Sequence, residues 1–156
     1  MSKMPRIVAI VSIVAGAIMI IVGVAVYFVV QRELSDEKIV VSDDAENFAG
    51  DDVDGPFTAY SEAMVIKEHA LEAGGGQTYA QLPQDDPARD TVMTASFLRA
   101  SLFTSVVAFG VAALVAGLGV LFILLGLGFL GIVRRLDEGV PPAAVPQVEP
   151  TPAAAI

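Results

Sequence analysis

The chain has 156 residues, 54% hydrophobic and 17% charged, with a formal net charge of −9, one histidine and no cysteine. The missing thiols exclude disulfides, iron–sulfur clusters, thiol catalysis and a lipoprotein anchor. The excess acid disfavours nucleic acid and anionic surfaces as partners. Apolar and charged residues are strongly segregated, which is the composition of a membrane protein.

Residues 1–6 carry Lys3 and Arg6, and then Ile7 to Val30 runs for 24 residues without a charge. As a helix this run spans about 36 Å, enough for a hydrocarbon core of about 30 Å with some tilt. It is longer than the apolar region of a secretory signal and closes on Tyr27, Phe28, Val29 and Val30 where a cleavage site needs small residues. The expectation is therefore an uncleaved anchor. Small residues recur at Ala9, Ser12, Gly16 and Gly23 on one stripe of this helix, and small residues let helices approach closely in lipid.

The loop from Gln31 to Arg99 carries fifteen Asp or Glu against five Lys or Arg, a net charge of about −10. Ser35 to Asp54 reads as an irregular connection around the short apolar run Ile39 to Val41. Asp51, Asp52, Asp54 and Gly55 share part of a calcium-loop pattern, but Gly50 and Ser61 fall where its first and twelfth ligands belong. A solvated acidic turn is the simpler reading. After Gly55 and Pro56, apolar residues at Phe57, Tyr60, Met64 and Leu71 predict a helix over Phe57 to Ala73, stopped by Gly74, Gly75 and Gly76. His69 on this helix is alone, so a two-histidine iron site and most zinc sites cannot form within one copy. These roughly 45 residues are too few for a core of their own. The cap they form is expected to pack on the membrane, the helix ends or a partner.

The second uncharged run, Ala100 to Val133, has 34 residues, about 51 Å as a helix and too long for one bilayer crossing. Ser101, Thr104 and Ser105 mark the entry and place the embedded part near residues 106–129. The helix is predicted to extend back to Pro87, with Asp86 as N-cap. Its small residues are Ala108, Ala112, Ala116 and Gly119, then Gly126, Gly128 and Gly131. Ile20 and Leu124 are read as lipid-facing. Arg134 and Arg135 follow, and residues 134–156 form a tail rich in proline and alanine, expected to be extended. With Lys3 and Arg6 they act as membrane anchors and put both termini in the cytoplasm, with the acidic loop outside the plasma membrane.

The fold class expected is an all-α membrane protein: two transmembrane helices as an antiparallel hairpin, joined by an acidic, partly helical extracytoplasmic loop. Neither span holds an Asp, Glu, His, Lys or Arg, the usual marks of transport paths and proton relays. No catalytic, cofactor-binding or metal-binding residue is assigned. The expected role is a non-catalytic accessory subunit that packs in the bilayer against a membrane protein complex. The alternatives are an enzyme subunit completed by a partner and a cation-binding envelope module.

Thr91 through Val120, containing TASFLRASLFTSVVAFGVAALVAGLGV, together with DGPFTAY at Asp54 to Tyr60, KEHALE at Lys67 to Glu72 and PRIVAIVSIVAG at Pro5 to Gly16, resembles a family of small two-span membrane proteins of actinobacteria. The resemblance covers most of Met1 to about Gly131. Members often carry the label ring-opening dioxygenase, for which this sequence offers no iron site. The resemblance implies an accessory subunit of the supercomplex that joins cytochrome bcc to the haem-copper cytochrome c oxidase.

Overall fold

The structure, a computed structural model, describes residues 4–139. Lys3 and the tail beyond Gly139 lie outside the described residues. Three helices follow in order, α1 (Met4–Asp36), α2 (Pro56–Ala73) and α3 (Arg89–Glu138). The only β pairing among the described residues is an isolated bridge between Val40 and Asp52. Both α1 and α3 are long and apolar enough to cross a membrane.

α1 and α3 pack along a seam of small residues. A Cβ placed on Gly16 would stand 2.5 Å from the Gly119 carbonyl oxygen, one on Gly23 2.7 Å from that of Ala112, and one on Gly126 2.7 Å from that of Ala9. The residues that meet run upward in α1 as they run downward in α3, so the pair is antiparallel. Residues 9, 16 and 23 meet 126, 119 and 112, a spacing of seven on both helices, the repeat that keeps one seam facing its partner. Ala9, Gly16, Gly23, Ala112 and Gly119 are buried there, and Ala116 abuts Gly23. Ser12 and Ala108 are only half-buried and Gly128 and Gly131 face open space. Ile20 is not lipid-facing: it packs on Gly119, where it fills the groove the glycine leaves. Leu124 is 61% exposed.

Both long helices outrun the uncharged stretches at the same end. α1 continues six residues past Val30, and α3 starts at Arg89, eleven before Ala100. Asp86 accepts the Ala88 N–H through Oδ1 at 2.8 Å and the Arg89 N–H through its carbonyl at 3.1 Å. It thus organises the turn into α3, with Pro87 and Ala88 preceding the first regular turn.

On these projecting ends, and reaching to Leu102 and Phe109 inside the second uncharged run, sits the cap. Leu34 of α1, Leu102 and Phe109 of α3, Ala59 and Ala63 of α2, and Val41 and Val53 of the connection form one buried cluster. The connection is therefore not irregular throughout. Val41 N–H donates to Asp51 O at 2.9 Å, Gly50 N–H to Val41 O at 2.9 Å and Val53 N–H to Ile39 O at 2.8 Å. This short antiparallel clasp satisfies the backbone where Val41 and Val53 go under.

α2 starts on Pro56, with the Thr58 hydroxyl reaching back to the Gly55 N–H at 3.2 Å. It buries Ala59, Glu62, Ala63 and Val65, and leaves Phe57 and Tyr60 outside. The aromatic stripe read from sequence is thus not the packed face, because the helix ends admit small side chains at close approach. At its C-terminus, Gly76 N–H donates to Leu71 O and Gly75 N–H to Glu72 O, with Gly75 at φ +61. This is the paired closure that a left-handed residue permits. Gly74 is needed for space: a Cβ there would lie 2.6 Å from Gln77 O.

Candidate functional site in the acidic cap

The chemistry-bearing side chains gather on the cap. His69 Nε2 lies 2.6 Å from Asp44 Oδ2, and both side chains are more than half exposed. The hydrogen bond to Asp44, then its charge, raises the His69 pKa, with Glu72 and Glu62 adding smaller contributions; in return the bond to His69 lowers that of Asp44. The two residues are 25 apart in sequence, and the pair holds the start of the connection against α2.

Glu62 is the one buried charged residue among the described residues, 7% exposed. It accepts the Ser42 N–H at 2.8 Å through one oxygen and the Ser42 hydroxyl at 3.2 Å through the other. A buried carboxylate is tolerated when its oxygens are used this way. Ser61, next to it, donates instead to the Asn47 carbonyl at 2.7 Å. Ser61 and Glu62 therefore tie down different parts of the connection and do not form a nucleophile with its base.

Between connection and α2 runs a groove of about 560 Å³, whose lining includes Asp44, Glu46, Phe48, Phe57, Tyr60 and Glu68. No Lys or Arg lines it. Phe57 is 73% exposed, and Phe48 and Tyr60 about half. Sequence reading missed this groove, because the aromatic spacing on α2 looked like a core stripe. The signal that could have found it is the placement of acids around those aromatics.

A second, smaller cleft of about 140 Å³ lies between α2, the turn after it and α3, with Lys67 and Arg99 in its lining. The turn itself is pinned by Arg89, which donates to the carbonyls of Tyr79 and Leu82 and lies 4.2 Å from the Tyr79 ring centroid.

Among the described residues no three of His, Cys, Asp and Glu are grouped to hold a metal ion. Asp51 and Asp52 are engaged through their backbone in the clasp. Of the anchor residues, Arg6, Arg134 and Arg135 are exposed at the helix ends remote from the cap. The class defined here is an all-helical protein with two membrane-length helices and a folded cap on one end of the pair. No protein-family model, curated protein or solved structure matches the chain.

Proposed function

We propose that the chain is a non-catalytic accessory subunit of a larger membrane complex, with both termini in the cytoplasm and the cap on the outer face of the plasma membrane. The observation that carries this reading is the acid-lined groove with Phe48, Phe57 and Tyr60 exposed. Exposed aromatics grouped in a concave surface mark protein contact sites, and the surrounding carboxylates select a basic partner. The small-residue seam is consumed by the α1–α3 pair, so docking falls to the cap and to the outer faces of the helices.

The resemblance to small actinobacterial two-span proteins directs the search for that partner to the cytochrome bcc and cytochrome c oxidase supercomplex. Mild detergent extraction, native electrophoresis and mass spectrometry of the bands should find the chain in a large complex, with Phe57→Ser weakening its retention. Recovery solely as a free monomer would reject the role.

The His69–Asp44 pair favours a second reading, an enzyme subunit completed by its partner, since a carboxylate-oriented imidazole is a general-base arrangement. Replacing His69 by Ala should abolish any activity of the isolated complex under that reading. Full retention would dismiss it.

A further inference from the structure

The cleft between α2 and α3 holds two of the five cations of the loop, Lys67 on α2 and Arg99 on α3. Fifteen acids surround them in sequence, yet the only ion pair among the described residues is that of His69 with Asp44. Arg99 is the less comfortable of the two: its Nε is out of contact with solvent and has no hydrogen-bond acceptor. A guanidinium donor without an acceptor is costly, and a small turn of the side chain toward the cleft would let a ligand there supply one. The Phe103 ring lies 5.1 Å from the Arg99 carbon centre and packs on the guanidinium, whose donors lie in its plane.

Arg99 is also the last charged residue before the uncharged run from Ala100 to Val133. On its own turn of α3, Phe97 is 67% and Leu98 52% exposed. With the helix in a bilayer, this turn lies at the depth of the lipid headgroups. The lining of the cleft adds apolar walls from Ile66 and Val92.

We propose that the cleft between α2 and α3, a local pair of cations on an otherwise acidic loop, binds a phosphate group, held by the Arg99 guanidinium and the Lys67 ammonium, and that a single phospholipid headgroup supplies it. A guanidinium fork with an ammonium in the same lining can hold a phosphate group, bidentate at the fork and as a point charge at the ammonium. The site does not require the accessory-subunit reading. Only the choice of lipid over free phosphate rests on the bilayer placement of α3.

The test is native mass spectrometry of the full chain in nonionic detergent, titrated with phosphatidylglycerol, with diacylglycerol of the same acyl chains, and with inorganic phosphate. One phosphatidylglycerol should bind per chain, diacylglycerol should not, and Arg99→Gln and Lys67→Gln should each weaken binding by about tenfold or more. Lys38→Gln, an exposed cation outside the cleft, should leave it unchanged. Lys67 is exposed, so its variant keeps the fold and decides the matter if Arg99→Gln does not fold. Inorganic phosphate binding with the same variant dependence, without lipid binding, would uphold the phosphate site and overturn its lipid source. Equal binding of phosphatidylglycerol to wild type and both variants, or binding of no phosphate species, would overturn the proposal.

Discussion

At the scale of single residues, the glycines of the long helices separate into two kinds that composition does not distinguish. A methyl group at Gly16 meets backbone at 2.5 Å, whereas at Gly110 and Gly117 it meets nothing within 4 Å. Gly16→Ala should therefore destabilise the pair by about 1–3 kcal/mol through overpacking. Gly117→Ala should be neutral or stabilising by up to about 1 kcal/mol, since alanine is the better helix former. Thermal unfolding in detergent distinguishes the two, and equal midpoints would contradict the close seam. The His69–Asp44 pair makes a pH prediction. Because the folded His69 pKa is raised, its contribution is fully present below about pH 6.5 and is lost as pH rises through the raised value. Because the Asp44 pKa is lowered, its share is present above about pH 3.9 and is lost as pH falls through the lowered value. Proteolysis of the 42–50 segment should accelerate as pH rises through the raised His69 value, and Asp44→Asn should return the His69 titration, followed by NMR, toward its ordinary value.

At the scale of elements, Glu62 is the joint between α2 and the clasp. Glu62→Ala removes the acceptor of both Ser42 donors, and leaving them without a partner costs about 1–3 kcal/mol. Hydrogen exchange should then quicken at the Val41 and Val53 amides, which close the clasp, while the amides of α1 between Gly16 and Gly23 keep their protection. The long helices, the helix of the cap and its glycine stop were legible because each is a local signal: an uncharged run, a proline at the start, three glycines at the end. The clasp was not, since its pairing joins Ile39–Val41 to Asp51–Val53 across a polar, acid-rich stretch with no strand periodicity. Nor was the orientation of α2, because Phe57 and Tyr60 have the spacing of a packed face and Ala59 and Ala63 fill it. The seam itself was half visible: the glycines at 16, 23 and 119 were apparent as a stripe, while the role of Ile20 beside Gly119 depends on rotation of the helix.

At the scale of the whole molecule, the proposed orientation can be read by single cysteines, since the chain has none of its own. Asp85 is exposed in the turn before α3. A cysteine there should react with an impermeant maleimide in intact cells, while one at Ser2 should react only after lysis. The reverse pattern would invert the topology and with it the outward-facing groove.

The buried cluster of the cap draws Leu34 from α1 and Leu102 and Phe109 from α3, residues made at opposite ends of the loop. During synthesis the connection and α2 emerge well before Leu102, so Val41 and Val53 wait without the part of their core that α3 supplies. The cap is thus a late-forming lock: it can close only after α3 has been threaded beside α1. A nascent chain arrested before Arg89 should remain open to protease throughout residues 37–73, and become resistant once Phe109 has cleared the ribosome and α3 lies beside α1.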